Sequence, residues 1–415
     1  MHITTEELSV LRTLANSYME IASLPVQKEK MNLWKSFNRC DEVRPMVMID
    51  QIPWHELNYD GSLTCVTQEP FLRKIEEHFR QTLFQWKHFP ADMVVEPFLT
   101  IPYCISNSGY GLYTRSTKAF TDKENDVISQ NFENQLETEE DVEKIQDLNL
   151  SVDIQTSREW ANISKFIFDG ILPVRQAGGA NIKLQIWDIL SEFMGVENIY
   201  FDLVDRPDFI HRIMTRMTQA TLNGIHQANN LGLFDTSANL CHCSGIYTDE
   251  LLPDFGAGFG KDSTHCWSFA MAQLFTSVSP HITEEFEIPY VKQLAANFGM
   301  LYYGCCERLD DRLSIVQTIP NIKKISCSPW SNKENFAANL NPKIIMSNKP
   351  SPAFLAAPAF DLTPVVKDLK ETCNIAKRNR IQVEFLLKDL STVQYQLKRL
   401  TQWHDAAMKV VETYW

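Results

Sequence analysis

Met300-Leu301-Tyr302-Tyr303-Gly304-Cys305-Cys306-Glu307 runs from an apolar tetrapeptide straight into a glycine, two thiols and an acid. A second strand-like run, Ile322 to Ser326, ends the same way, on Cys327. Two consecutive strand-like segments therefore deliver sulfur at their C-terminal ends. In a parallel β/α barrel those ends and the βα loops share one mouth, where active sites sit. Soft sulfur ligands at such a mouth suit zinc.

Outward from this stretch, strand and helix signals alternate every 20 to 40 residues, which favours a mostly parallel sheet. The expected barrel strands are 93–98, 172–175, 199–201, 266–273, 301–303, 323–326, 343–346 and 382–387. Residues 5–38 and 71–87 read as helices from their apolar spacing, with a short extended piece at 45–50 between them. Pro207 suits a helix's first turn, and Ser279-Pro280 offers an N-cap and first-turn pair. The expected architecture is a single (β/α)8 TIM-type barrel over 90–415, with an N-terminal helical extension, 1–89, packed on it. An acidic, apolar-poor stretch at about 117–160 reads as an insertion near the mouth.

The chain has 415 residues, 44% of them hydrophobic, with 24 Phe and 9 Trp, enough for a large core. A formal charge of −13, from 52 acidic and 39 basic residues, argues against a nucleic-acid binder. Residues 1–31 carry acids and no apolar signal core, and no later stretch reaches the length of a membrane span. Ten unevenly spaced cysteines, two of them adjacent, do not resemble a secreted disulfide framework. A cytoplasmic location without membrane contact is the expectation.

Strand alternation puts Gly304 and Cys306 on one face, Cys305 and Glu307 on the other, and loosens at the strand end. Metal ligands are sought among Cys306, Cys305, Cys327 and Asp389, the last at the end of the eighth strand. Buried core thiols and a helix-entry acid are the alternative reading of the same residues. Glu307, Asp389, Glu384 and His55 are candidates for proton handling; Trp54, Tyr303, Trp267 and Arg175 for substrate contact. Gly256 to Lys261 fails as a phosphate loop, since Phe255 and Asp262 replace residues that loop requires. Cys241-His242-Cys243 has no second ligand pair at finger spacing and reads as a loop with incidental cysteines.

Leu172-Pro173-Val174 through Gly178-Gly179, and Val204-Asp205-Arg206-Pro207-Asp208-Phe209-Ile210-His211, resemble the uroporphyrinogen decarboxylase superfamily. So do Ser277-Val278-Ser279-Pro280-His281 and Phe286-Glu287-Ile288-Pro289-Tyr290. The resemblance spans roughly residues 90–415 and implies a single (β/α)8 barrel. The heme-pathway decarboxylase grips its porphyrin with an arginine-rich segment, whereas residues 46–54 here contain no arginine. The resemblance therefore points to the branch of zinc-dependent methyltransferases that work with corrinoid proteins. Those enzymes carry His-x-Cys after strand five and a further Cys after strand eight. Cys306 matches the first cysteine, Gly304 stands in place of the histidine, and Asp389 in place of the second cysteine.

What this implies is a methyltransferase of anaerobic one-carbon metabolism, moving a methyl group between a small methylated substrate or thiol and a corrinoid protein. Zinc is the expected metal. The chain has no Asp-x-His-x-x-Gly corrinoid signature, so the corrinoid is expected on a partner protein. The alternative is a metal-free decarboxylase or lyase acting on a small carboxylic acid or pyrrole, with Asp389, Glu384 or His55 moving protons and Arg175 holding the carboxylate. A catalytically silent binding barrel is a third reading.

Overall fold

A computed structural model describes residues 3–120, 128–251 and 262–413. Eight short strands run parallel to a neighbour: β1 (Met46–Ile49), β2 (Leu99–Ile101), β3 (Val174–Gln176), β4 (Trp267–Ala270), β5 (Met300–Tyr303), β6 (Ile322–Cys327), β7 (Ile345–Asn348) and β8 (Val383–Leu387). Six of them form one curled parallel sheet in the order β1-β8-β7-β6-β5-β4. β2 and β3 pair only with each other. Among the described residues no ladder joins that pair to β1 or β4, so the hydrogen-bonded sheet is a half-barrel where a closed eight-stranded one was expected.

The sheet is buried on both faces, apolar outward and mixed inward, where Lys324, Ser347 and Glu384 lie among the apolar side chains. Leu301, Tyr303, Ile325 and Met346 face outward into the largest core cluster, shared with the helix Pro207–Asn230. Tyr302, Met46, Met48, Ile345 and Leu386 face inward around Trp34 and Phe37. Those two aromatics come from the helix Pro25–Asn38, whose Asn38 donates to the carbonyls of Gly245 and Tyr247. A Cβ on Gly245 would lie 2.5 Å from the Trp34 ring, so only glycine lets the hairpin of Leu240–Cys241 and Ser244–Gly245 approach these aromatics.

Several strand expectations change. The first strand of the sheet, β1, comes from within residues 1–89, where only an extended piece inside a helical extension was expected. Residues 93–98 form no strand. Pro97 has no N–H to give a ladder, and pairing starts only at Leu99. Ile199 to Phe201 lies in the helix Val196–Asp205: Ile199 and Leu203 are buried four residues apart, while Phe201 and Val204 are exposed. β7 begins two residues later than the sequence suggested.

Within 117–160, the described residues form a hairpin (Ser116–Phe120 with Ile128–Phe132), a short 3-10 turn and a strand paired with Ile105–Asn107. None of them enters the six-stranded sheet. Gly256 to Lys261 lies outside the described residues. No helix among the described residues is long and apolar enough to cross a membrane.

Candidate active site

β5 ends at Tyr303, and the chain turns at once through Gly304, whose φ is +91°. A Cβ there would sit 2.6 Å from Leu309 and 3.1 Å from Ser326, so the position takes neither a left-handed side chain nor the bulk of a histidine. The turn throws Cys305 and Cys306 to the same side, their sulfurs 3.6 Å apart and not bonded as a disulfide. β8 ends at Leu387. Asp389, with φ +57°, swings its carboxylate back to 3.5 Å from Cys306 Sγ. One donor atom from each of Cys305, Cys306 and Asp389 falls within 4.8 Å of the others.

Two lysines complete the cluster. Lys388 Nζ donates to Cys305 Sγ at 3.3 Å and lies 3.2 Å from Asp389 Oδ2. Lys349, just past β7, donates to the Cys305 carbonyl at 3.0 Å and to Ser326 Oγ at 2.6 Å. Both ammonium groups come within 3.4 Å of His242 Nε2, and both side chains are almost entirely buried. His242 lies flat on Phe269, 3.8 Å between ring centres. It occupies the turn of a small hairpin (Leu240–Cys241 with Ser244–Gly245), and His242 and Cys243 both have positive φ. A two-residue hairpin turn with two left-handed residues usually uses Asn or Gly. Holding His and Cys there costs about 1–3 kcal/mol each.

Electrostatics follow from this crowding. The hydrogen bond from Cys306, opposed by burial and helped by Lys349 and Lys388, pulls the Cys305 thiol down to about 6. Sharing a proton with Cys305, and burial, push Cys306 up. The Cys306 S–H has two acceptors in reach, the Cys305 sulfur and Asp389. Burial, then the two ammonium charges, keep His242 neutral, able to accept through Nε2. Behind the thiols, Glu307 accepts from the Cys305 N–H at 2.6 Å and from the Ala272 N–H at 3.4 Å. It holds the turn and is itself buried.

The other residues singled out from the sequence do not meet here. Cys327 points to the outer face with Leu301, Tyr303 and Ile325, because it is one step out of phase with the inward Ser326. Glu384 faces inward nearer the strand starts and pairs with Lys324 at 3.0 Å. Trp267 lies on that same layer, its ring centre 5.6 Å from Lys324 Nζ. Tyr303 donates outward to the buried Glu287 at 3.2 Å. Trp54 packs edge-on against Phe84, and His55 against Tyr395. Arg175 lies over Phe98 and donates to Thr100 Oγ1, in a separate cleft.

Sequence reasoning gave no role to Lys349 or Lys388, and it set His242 aside with its flanking cysteines as an incidental loop. Placing strand seven two residues early put Lys349 beyond its end. His242 arrives from a hairpin outside the strand series, with no spacing signal to announce it.

No protein-family model matches the chain, and no curated protein matches it. Among solved structures, a methyltransferase from Methanosarcina mazei aligns over 92% of this chain and 98% of that one, with 10% identity and a TM-score of 0.48.

Proposed function

We propose that the chain is a metal-assisted methyltransferase whose zinc is held by Cys305, Cys306 and Asp389. One observation carries this reading: two thiols and a carboxylate from the ends of β5 and β8 converge within 4.8 Å. The donor set suits zinc. With Zn–S bonds of about 2.3 Å and Zn–O near 2.0 Å, tetrahedral ligand edges measure about 3.5–3.8 Å. The 3.6 Å and 3.5 Å separations at Cys306 match those edges. Three protein donors leave a fourth position for substrate, the arrangement catalytic zinc sites share. Bound there, zinc supplies Lewis acidity that lowers the pKa of a substrate thiol or polarises a methyl-bearing heteroatom.

The chain's own groups have separate tasks. Lys388 stabilises the Cys305 thiolate and orients Asp389. Lys349 fixes the Cys305 carbonyl and Ser326, and so the thiol turn. His242 accepts from both ammonium groups and keeps them aimed at one place. The corrinoid protein is proposed as methyl carrier from the sequence resemblance, and so is a thiol or small methylated compound as the other reactant. A closed eight-stranded barrel, with β2 and β3 completing the ring, belongs to the same reading.

A metal-free lyase is the second reading. Lys349 and Lys388 favour it, since two buried ammonium groups near one imidazole would hold a substrate carboxylate. Elemental analysis of protein purified under reducing conditions separates the two. The methyltransferase reading expects about one zinc per chain, lost with Cys306→Ser, together with zinc-dependent methylation of an added thiol by methylcobalamin. Wild-type protein that binds no zinc in equilibrium dialysis ends it.

A further inference from the structure

We propose that a second cleft, lined by none of the cluster residues, binds a small organic cation. It encloses about 620 Å³ beside β2 and β3, between the helices Thr5–Ala22, Pro70–His88 and Ile154–Phe168. That volume is ordinary for a small-molecule site.

Its polar centre is Glu96, only 9% exposed. Glu96 Oε1 accepts from the Tyr247 hydroxyl at 2.6 Å, and no Lys, Arg or His pairs with the carboxylate among the described residues. A buried carboxylate without a cation is costly unless something supplies the positive charge. Lys74, His78 and Arg175 also line the cleft, and none of them pairs with Glu96; Lys74 is exposed and Arg175 is committed elsewhere. Arg175 lies 3.8 Å over the Phe98 ring, donates to Thr100 Oγ1 at 2.7 Å and faces Asp235 at 3.7 Å. Aromatic residues line the same cleft: Tyr18, and Phe71 with Trp160, which stack parallel with ring centres 4.7 Å apart, so that only the outer faces of that pair are left for a ligand. Ring faces attract cations, and best of all cations whose charge is spread over methyl groups and weakly hydrated. A carboxylate without a cationic partner and aromatic rings lining one cleft select an ammonium-bearing organic molecule over an anion or a neutral compound.

The inference goes beyond the metal-site reading and does not depend on it. One chain segment links the two regions: Leu240 lines the cleft, and His242, two residues on, touches Lys349 and Lys388.

Titration calorimetry on the full chain tests it, with choline, benzyltrimethylammonium and 3,3-dimethylbutan-1-ol, the uncharged analogue of choline. Saturable binding of the two cations is expected, at least ten-fold tighter than the alcohol. Glu96→Gln keeps the acceptor for Tyr247 but removes the charge; it should weaken cation binding about ten-fold or more and leave the alcohol and the melting temperature unchanged. Trp160→Leu keeps apolar bulk without the ring and should cost the cations several-fold. Cys306→Ser should bind them as wild type does, so loss of zinc and loss of cation binding are read apart. Absence of saturable cation binding at tens of millimolar, equal affinity for the alcohol, or full affinity in Glu96→Gln overturns the proposal. So does loss of cation binding in Cys306→Ser.

Discussion

The inner face of the sheet buries lysine at two levels and surrounds it differently at each. Near the strand starts, Lys324 has a complete shell: Glu384 at 3.0 Å, Ser244 Oγ at 2.6 Å, the Gly245 carbonyl at 3.1 Å and the rings of Trp34, Phe37 and Trp267 around it. Near the strand ends, Lys349 is held by a carbonyl, a hydroxyl and an imidazole, with no carboxylate, and Lys388 shares its one acid with a thiol. The lower layer is an ion pair whose partners all come from the chain, with only Glu384 Oε1 left without a hydrogen bond among the described residues. The upper layer gathers positive charge, two thiols and one half-exposed acid that chain contacts alone leave open to a ligand. Burial of a charge therefore says little about its role; what matters is whether its partners are all from the chain.

The largest predicted effect breaks this comparison if it fails. Lys324→Met leaves Glu384 as an uncompensated buried carboxylate and should lower unfolding stability by about 3–5 kcal/mol. Lys349→Met removes hydrogen bonds but strands no paired acid, and should cost about 1–2 kcal/mol while impairing thiol reactivity. Urea denaturation of both variants decides it, and equal losses would remove the distinction between the layers.

Next in size comes Gly304→Ala. The added Cβ meets Leu309 and Ser326 in a left-handed conformation, so a loss of about 1–3 kcal/mol is expected, again by urea denaturation. Because the same turn aims both thiols, zinc affinity should fall with it. An alanine variant with unchanged stability would show that the turn is not constrained as described.

Cys306→Ser sharpens the contrast from the other side. The residue is half-buried and contributes little to packing, so stability should stay within about 1 kcal/mol while zinc stoichiometry collapses. A large stability loss in metal-free protein would instead make Cys306 a structural thiol.

How much of this was legible beforehand follows from where each signal lives. β5 was readable as a continuous apolar run and β8 as one broken only by Glu384, and Cys305, Cys306 and Asp389 were readable because they closely follow those runs. β1 was hidden by its length: four residues after two helices look like a linker until β8 pairs with them. Ile199 to Phe201 misled because three apolar residues in a row fit a strand or a helix equally, and only the buried spacing of Ile199 and Leu203 tells them apart. Cys327 misled through parity, one residue out of step with Ser326. Lys349 and His242 are tertiary facts, created when a strand end and a remote hairpin meet.

The last predicted effect is a pH dependence from the acids behind the thiols. Burial, with the charge of Glu307 nearby, raises the Asp188 carboxyl from 3.8 to about 7. In the unfolded chain it titrates near 3.8, so between about pH 4 and pH 7 the folded protein holds a proton that the unfolded chain has lost. Stability from this group is therefore complete below pH 4, falls as pH rises through 7, and is level above that. Asp188→Asn cannot ionise, yet its side-chain oxygen can still accept from the Gln273 N–H, which lies 3.3 Å from Asp188 Oδ2. The variant should melt close to wild type below about pH 4 and higher than wild type at pH 8, the gap opening steadily between about pH 4 and 7 and staying level above that. Melting curves across that range measure it. A gap of constant size would mean that Asp188 ionises normally and that Glu307 is too well screened by its two N–H donors to influence it.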